Sequence, residues 1–372
     1  MNLKFVDILN GISMFQLVLF VFFLLGKSKN RTSNLLLAAF FLTQFLSIAD
    51  HFISSQKLFF QEISPMLFYL GLPFPWLWSP LFYLYVKSLF FSDFRFSSKH
   101  LLHFIPFFLF LQYVLVAFHF KGMEEKMTMI RHNQLLTAQS SLWLNILISL
   151  QIAIYLVVVL VLYHNYQKRL KGVQSNISPV QDRWVKIFIF GYLAAYLVTN
   201  LCRAGLYLHP PLGELFIFTS FLAFFLYFLL LFYKAITHPD IFMKTEERPE
   251  ARTNTIPKQE AHSLLKVVHD YMIQREPFLN PDLSLKQLAS ELKIPERLLS
   301  GVINQYRNQN FYDFVNSYRI SKAQRMLTDD AFKRKTVLEI LYDSGFNSKS
   351  SFNQVFKKIT GLTPTEFKRT QR

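Results

Sequence analysis

Seven long apolar runs are the feature of this sequence that most limits its fold. They cover residues 5–25, 35–53, 66–90, 101–120, 142–163, 185–207 and 215–233. A helix of ~20 residues, rising 1.5 Å per residue, crosses the ~30 Å hydrocarbon core of a bilayer. Because a helix satisfies its own backbone hydrogen bonds in lipid, we predict seven transmembrane helices.

The composition argues against a soluble alternative. Apolar residues make up 52% of the chain and charged residues 17%, against ~25% charged residues in soluble domains. Seven helices that are apolar on every side would need a polar shell that this chain lacks. The first run is followed by GKSKNR without a small-residue cleavage site, so we expect an uncleaved span rather than a signal peptide.

Loop charges predict the orientation of the spans. The connections at residues 26–33, 87–100 and 164–186 contain eleven Lys and Arg, whereas the intervening connections contain four. Because basic loops stay in the cytoplasm, the N-terminus is predicted outside. Seven crossings then place the C-terminal part in the cytoplasm, where it could reach DNA.

The composition changes after the last run. Residues 244–259 (KTEERPEARTNTIPKQ) are polar and contain proline, which is typical of a linker, and residues 260–372 show short amphipathic helical patterns. We therefore predict an all-α chain: a membrane domain at 1–243, the linker, and a small helical domain at 260–372. The net charge of +16 suits a membrane surface, nucleic acid, or both.

A first helix-turn-helix pattern begins at residue 284. Ser284 and Gln287 stand at the spacing of a capping box, and the apolar residues at 285, 288, 289 and 292 share one helical face. After a turn at 293–294, Pro295 suits the first position of a second helix. The second helix of such a motif enters the major groove of DNA.

The pattern recurs near the C-terminal end. A helix with apolar positions at 337, 340 and 341 ends before Gly345, and Ser348 caps a helix whose residues 352, 355 and 356 face inward. A longer helix from Phe311 to about Leu327 separates the two patterns, and Thr363 with Glu366 predicts a further capping box.

The residues of the tail resemble the DNA-binding domain of AraC-type bacterial transcription regulators. The likeness rests on LxxLA at 285–289, FYDFVNSYRISKAQRML at 311–327 and GFNSKSSFNQVFKKITGLTPTEFKR at 345–369. Two positions depart from the family: Asn308-Gln-Asn310 replaces a common glycine, although Asn tolerates a left-handed turn, and Leu341 stands where Ala is usual. The segments SPLFYLYVKSLF at 79–90 and HLLHFIPF at 100–107 are similar to membrane-embedded AraC-type regulators.

The exposed faces of the second helix in each pattern supply candidate DNA contacts, which arginine, amide and hydroxyl side chains could make with base edges. Lysines are expected mainly to neutralise phosphates. The alternative is that these residues are only solvated helix faces. The candidates are Glu296, Arg297, Ser300, Gly301 and Asn304 in the first pattern, and Ser348, Lys349, Ser350, Asn353, Gln354, Lys357 and Lys358 in the second.

Ionisable residues inside the apolar runs are candidates for a signal site, because charge in lipid is costly. Asp50 and Arg203 lie at the same predicted depth near the outer ends of their spans, and Arg203 follows Asn200 by one turn. We expect them to pair, or to line an outward-facing pocket with Glu214 and with Trp76 or Trp78. The alternative is that they simply extend to water. The prolines at 73, 75 and 80 must kink or break the third span.

Catalytic chemistry has little support in the sequence. The histidines are scattered, a single cysteine is present, and neither an HExxH motif nor a glycine-rich phosphate loop occurs. We expect no enzyme activity, no catalytic residue, no bound metal and no cofactor.

These features predict a transcription regulator anchored in the bacterial cytoplasmic membrane, whose partners are double-stranded DNA, the lipid bilayer and an unidentified signal molecule. A homodimer would raise the effective concentration on paired half-sites, but the sequence does not require one. The main alternative is a receptor or transporter whose basic tail docks a partner protein. An intramembrane enzyme is the third class.

Overall fold

The computed structural model describes residues 4–27, 31–91, 94–175, 179–237 and 258–370, which are largely helical. These residues contain sixteen α-helices, and the β-structure among them is one isolated bridge between Gln174 and Ser284. The chain divides into two compact units. The first comprises Met1–Tyr163 and Pro179–Glu247, and the second comprises His164–Ser178 and Arg248–Arg372. The all-α prediction is confirmed.

Nine helices contribute to the first unit. A 3₁₀ turn over Ser98–Phe104 and a π-helical turn over Leu115–His119 extend α5 at its two ends. The helices are α1 (Phe5–Leu25), α2 (Arg31–Ser55), α3 (Lys57–Ile63), α4 (Pro75–Phe90), α5 (Ile105–Val114), α6 (Met123–His132), α7 (Ala138–Val173), α8 (Pro179–Leu208) and α9 (Gly213–Thr237).

Six of the seven predicted spans are helices long and apolar enough to cross a membrane. The exception is the third run, in which α4 has 16 residues, or about 24 Å, and follows a 3₁₀ turn at Pro65–Leu67. The prolines predicted to kink or break this run explain the difference. Pro73 precedes the helix and Pro75 starts it, because proline lacks the N–H that an interior helical position needs. Pro80 is tolerated inside α4.

The first unit is apolar on its surface as well as in its core. Large apolar side chains face outward, including Phe15, Leu109 and Val157, which are 66%, 63% and 61% exposed. Polar side chains are buried among the helices, and Asn10 and Gln44 are 0% and 3% exposed. The arrangement is the one that a lipid environment favours.

Contacts between helix ends show which ends of the first unit lie together. Ser88 at the end of α4 donates to the Ser33 hydroxyl near the start of α2 at 2.9 Å. Trp184 near the start of α8 donates its Nε1–H to the Tyr85 hydroxyl at 3.2 Å. The end of α4 and the starts of α2 and α8 therefore lie together at one end of the unit.

The opposite end joins other termini. Lys4, which precedes α1, forms an ion pair of 2.7 Å with Glu214 at the start of α9. Ser55 at the end of α2 donates to the Asp7 carboxylate of α1 at 2.6 Å. Because Gly71, which precedes α4, packs on Asp50 near this end of α2, α4 runs antiparallel to α2 from one end of the unit towards the other.

Aromatic stacking holds the centre of the first unit together. Phe82 of α4 stacks on Phe188 and Tyr192 of α8 at ring-centroid distances of 4.7 and 4.6 Å. Phe40 of α2 approaches Phe82 at 6.0 Å. Aromatic pairs contribute beyond the area they bury, so α2, α4 and α8 share one core.

Seven helices belong to the second unit, and they are short except for the first and fourth. The unit also includes His164–Ser178, so that the last residues of α7 belong to it. Its helices are α10 (Lys258–Arg275), α11 (Leu285–Glu291), α12 (Glu296–Tyr306), α13 (Phe311–Thr328), α14 (Val337–Asp343), α15 (Lys349–Thr360) and α16 (Pro364–Thr370).

The predicted domain boundaries stay predictions. Most of the proposed linker at 244–259 lies outside the described residues, and its last two residues, Lys258 and Gln259, begin α10. The sequence assigned residues 164–175 to a connection between spans. The structure instead groups them with the C-terminal helices, because their contacts are made there.

Gly345 is a position where glycine is required. It adopts φ +89°, and a Cβ there would overlap the Phe278 carbonyl oxygen and lie 2.8 Å from the Leu279 Cα. Gly361, at the end of α15, has a similar φ of +79° but open space around its Cα. A comparison of substitutions at the two glycines therefore distinguishes the cost of steric overlap from the cost of backbone strain.

We expect Gly345→Ala to destabilise the second unit by about 3 kcal/mol or more, since backbone strain and overpacking add. Gly361→Ala should cost only about 1 kcal/mol, the cost of the left-handed backbone alone. Amide hydrogen exchange in α15 of the full chain measures both. Equal losses would show that the overlap at Gly345 relaxes without cost.

Candidate nucleic-acid interface

The first helix-turn-helix unit consists of α11 and α12. Ser284 is the N-cap of α11 as predicted, and its Oγ accepts from the Gln287 N–H at 3.2 Å. The reciprocal half of the predicted capping box is not formed. The Gln287 side chain instead bonds Asn280 and Glu291, because both lie within its reach on the exposed side of α11.

The turn between these helices is tight. Lys293 adopts a left-handed φ of +55°, and the Ile294 N–H donates to the Ala289 carbonyl at 3.0 Å. Pro295 is the N-cap of α12 rather than its first helical residue, one position from the prediction. The turn fixes the direction in which α12 leaves α11.

α12 presents a mixed polar face. Arg297 and Asn304 are exposed, Ser300 is half-buried and accepts from the Asn304 amide at 3.3 Å, and Glu296 is half-buried. Gly301 is buried, contrary to its predicted exposure, and Val302 lies on the side of the helix that packs inward. The inward side also contains Leu299 and Ile303.

α13 connects the two helix-turn-helix units. Asn308 adopts φ +50°, which confirms that asparagine takes the left-handed turn expected there. Asn310 caps the helix by accepting from the Asp313 N–H at 2.8 Å. The helix extends over 18 residues, close to the predicted Phe311–Leu327, which is about 27 Å at 1.5 Å per residue.

The second helix-turn-helix unit consists of α14 and α15. The Thr336 N–H and hydroxyl donate to Glu339, and Thr336 Oγ1 accepts from the Glu339 N–H, a capping box that the sequence analysis missed. The two bonds from Thr336 lower the pKa of the Glu339 carboxyl. The predicted box of Thr363 and Glu366 before α16 is confirmed by the same three bonds.

α15 has one buried and one polar side. Phe352, Val355 and Phe356 are buried as predicted, and Ser348 caps the helix through the Ser351 N–H at 3.4 Å. The remaining candidates lie on the other side: Lys349, Ser350, Gln354, Lys357 and Lys358 are exposed, and Ser348 and Asn353 are half-buried.

Lys358 differs from the other lysines of this helix. Its Nζ forms an ion pair of 2.9 Å with Asp313 at the start of α13. Lys357 and Lys349 have no ion pair within the described residues. Lys358 must therefore exchange a carboxylate for a phosphate before it can neutralise DNA, whereas Lys357 is available without that step.

Arg319 is the buried centre of the second compact unit, and no motif in the sequence marked it. It is 1% exposed, and burial lowers its pKa to about 10, so that it stays charged at neutral pH. Its Nε donates to the Phe278 carbonyl at 2.7 Å, and an Nη donates to the Asn280 carbonyl at 2.8 Å. Its guanidinium also lies 5.6 Å from the Phe346 ring centroid.

Arg319 also holds the segment that follows α7. Its two Nη groups donate to the Ser175 carbonyl and Oγ, both at 3.1 Å. The Ser175 N–H and hydroxyl donate in turn to the Leu283 carbonyl at 3.2 and 2.6 Å. Gln174 forms the isolated bridge to Ser284, the N-cap of α11. The connection after α7 is thus bonded directly to the first helix-turn-helix unit.

The structure brings some of the predicted signal residues together and leaves others apart. Asp50, Asn200 and Arg203 line one cavity of about 720 Å³ in the first unit, together with Trp78. Asp50 and Arg203 do not pair with each other: among the described residues the Arg203 guanidinium has no carboxylate within 4.0 Å. Glu214 does not line the cavity, because it binds Lys4 at the surface, and neither does Trp76.

Replacing Arg319 tests its structural role. Arg319→Lys removes the guanidinium group, which bonds several carbonyl groups at once, and leaves some of these carbonyls unbonded. We expect the unfolding free energy of the second unit to fall by about 3 kcal/mol. Arg325→Lys, on the exposed side of the same helix, should cost less than about 0.5 kcal/mol. Denaturant unfolding followed by hydrogen exchange in α13 measures both, and a similar small effect for each would contradict the central role of Arg319.

Comparisons with known proteins place the C-terminal helices in a family. A family model described as a helix-turn-helix domain matches residues 288–370. The uncharacterized transcriptional regulatory protein YesN of Bacillus subtilis (strain 168) is 35% identical over 94 residues, 25% of either chain. An uncharacterized HTH-type transcriptional regulator in the cgkA 5' region of Pseudoalteromonas carrageenovora is 30% identical over 104 residues, 28% of this chain and 60% of that one.

A similar regulator of Staphylococcus aureus (strain COL), also named as uncharacterized and HTH-type, is 29% identical over 112 residues, 29% of this chain and 15% of that one. The chain therefore spans between 15% and 60% of the length of these relatives. No solved structure matches it. Residues 288–370 form a helix-turn-helix domain of the AraC type, in a chain whose preceding part contains six candidate membrane spans.

Proposed function

We propose that this protein is a membrane-anchored one-component transcription regulator that binds promoter DNA sequence-specifically through α12 and α15. The observation that carries the proposal is the pair of helix-turn-helix units on one connecting helix, each with an exposed polar helix face. The named relatives are themselves transcription regulators, which favours this reading over a tail that docks a partner protein.

The exposed side chains divide by chemistry into two roles. Arg297 of α12 and Asn353 of α15 are suited to base edges, since a guanidinium can bond guanine and an amide can bond adenine with two hydrogen bonds each. Lys349 and Lys357 are suited to phosphates, which provide affinity without sequence information. The remaining candidates on the two helices are proposed as contacts to either base or backbone.

A test of these roles needs the DNA site that the protein binds. The full chain in micelles can select this operator from a pool of random duplexes. Arg297→Ala or Asn353→Ala should then weaken binding to the selected site by about 1–3 kcal/mol and hardly change binding to random DNA. Lys357→Gln should weaken both alike and reduce the salt slope by about one. Equal losses on both duplexes from all three variants would contradict the assignment of readout residues, and failure to select any sequence would favour the docking-tail alternative.

We infer that the first unit anchors the protein in the cytoplasmic membrane with the basic connections inside. Its outward apolar side chains and its six candidate spans support the anchor. The contacts between α2, α4 and α8 gather the flanks of the basic connections at one end, as a positive cytoplasmic side requires. The antiparallel course of α4 along α2 supports a seventh crossing despite its short length, which leaves the N-terminus outside.

Coupling between signal and DNA is proposed to pass through α7. This helix extends over 36 residues, more than a bilayer needs, and the residues after Tyr163 belong to the second unit. The segment that follows it is bonded through Ser175 to Arg319 of α13, the helix that connects both helix-turn-helix units. A displacement of α7 would therefore act on the helix that separates the two recognition helices. A signal can drive it only by differing in affinity for two arrangements of the spans.

A disulfide across the bridge between residues 174 and 284 tests this path. The bond from the Ser175 N–H to the Leu283 carbonyl marks 174 and 284 as a non-hydrogen-bonded antiparallel pair, with Cα atoms ~4.5 Å apart, within the range for a disulfide. Gln174→Cys with Ser284→Cys, in a chain with Cys202→Ser, should cross-link in isolated membranes and be detected as joined peptides by mass spectrometry. The oxidised protein should show one DNA occupancy under all conditions that switch the wild type.

Two controls accompany the cross-link. Gln174→Cys with Ser290→Cys places the second thiol at the far end of α11 and should not cross-link. Ser284→Cys alone removes the N-cap of α11, at a cost of about 1 kcal/mol. The DNA occupancy of this single variant should still switch as it does in the wild type. Switching that persists in the oxidised double variant would exclude this contact as the coupling path.

A further inference from the structure

The cavity of the first unit has two chemically different sides. Its volume of about 720 Å³ falls in the range of small-molecule sites. Aromatic rings from α9, namely Phe221, Phe224 and Phe228, contribute to an apolar wall, and Asn200 and Arg203 of α8 contribute polar groups. A ligand that fills it must therefore carry both an apolar body and a polar head.

Hydrogen-bond donors of the cavity lack acceptors. Gln44 is 3% exposed, and its amide nitrogen has no hydrogen-bond partner among the described residues. The indole N–H of Trp78 is also buried and has no hydrogen-bond partner among the described residues. The Arg203 guanidinium makes one long bond of 3.4 Å, to Ser149 Oγ. Buried donors without acceptors are costly, and two of them belong to residues that line the same cavity as the weakly bonded Arg203.

Asp50 does not supply the missing acceptor. Its carboxylate accepts from the Gly71 N–H at 3.3 Å, and Gly71 packs so closely that a Cβ there would overlap both Asp50 and the Leu46 carbonyl. The neighbouring His51 ring lies 4.7 Å from the Phe221 ring. The acid is thus held by the segment before α4, and the unmatched groups of the cavity are donors.

We propose that this cavity binds an amphipathic anion, with an anionic oxygen head on Arg203, Gln44 and Trp78 and an apolar body against the rings of α9. Charge-assisted bonds to a carboxylate or phosphate head match a guanidinium with free donors. Two sources share this chemistry: a fatty-acid-like carboxylate and the phosphate of an anionic lipid. The inference deepens the proposed function, on which it rests for the effect of binding on DNA.

Binding is tested on the full chain in dodecyl maltoside micelles, whose headgroups carry no charge. Equilibrium dialysis with radiolabelled decanoate, decanol and dihexanoyl phosphatidate compares a carboxylate, a neutral analogue of the same length and a phosphate. At least one anion should bind tenfold or more tightly than decanol. Preference for decanoate identifies a fatty-acid source, and preference for phosphatidate identifies a lipid headgroup.

Matched variants assign the binding to the cavity. Arg203→Gln should weaken the preferred anion at least tenfold and leave decanol unchanged, since only the charge is lost. Arg131→Gln, an exposed arginine outside the cavity, should bind within twofold of the wild type. Gln44→Met keeps the side-chain volume and removes a donor without a partner, so it should weaken the anion about threefold without lowering the thermal midpoint of the empty protein.

The Gln44 variant keeps the test decisive if the Arg203 variant does not fold. Equal affinity for decanol and both anions, or unchanged anion affinity in the Gln44 variant and in a folded Arg203 variant, would overturn the inference. Duplex selection on the same preparation separates the two proposals. A chain that selects DNA but shows no anion preference refutes only the cavity ligand, and one that binds the anion but selects no DNA refutes only the regulator.

Discussion

The exclusion of unpaired polar groups from an apolar exterior is the constraint on which the first unit depends. Its outer surface consists of side chains such as Phe15 and Leu109, so polar groups must find partners inside. Most do so locally: Ser13 and Thr43 return their hydroxyls to carbonyls of their own helices. Others bond across helices, as Ser88 does to Ser33, and thereby fix which helix ends lie together.

The residues that do not fit this pattern are informative for the same reason. Gln44 and Trp78 bury donors without acceptors, and Arg203 has far more donors than bonds. Natural cores avoid such groups unless they have a use. Their presence around one cavity links the energetics of the helical bundle to the proposed reception of a signal, whereas the paired Lys4 and Glu214 at the surface need no such explanation.

The second unit depends on a single buried cation. Its helices are mostly shorter than twelve residues, and such helices are marginal by themselves. Arg319 joins the Phe278 and Asn280 carbonyls and Ser175, and thus holds the loop before α11, the connecting helix α13 and the end of α7 in one arrangement. The capping boxes at Thr336 and Thr363 hold the individual helix starts. The side chains proposed to contact DNA can stay exposed because the fold does not need them.

Local rules recovered much of this arrangement from the sequence. Periodicity indicated the inward faces at Phe352 and Phe356, and the preference of Asn for left-handed backbone indicated the turn at Asn308. Rules that depend on a neighbour were less reliable. Gln287 had better partners than the cap that it was predicted to complete, and Gly301 is buried rather than exposed.

Sequence patterns were sufficient to predict the all-α class, the apolar spans, the break at the prolines before α4 and the two helix-turn-helix units, because these follow from composition and from contacts within a few residues. The packing of distant segments, by contrast, leaves Asp50 and Arg203 in one cavity without pairing, holds Lys358 at Asp313, and bonds the segment after α7 to Arg319. Ser175 and Arg319 are 144 positions apart. Hydrophobic periodicity specifies which face is buried but not which distant group will meet it, so such pairings depend on the packed chain.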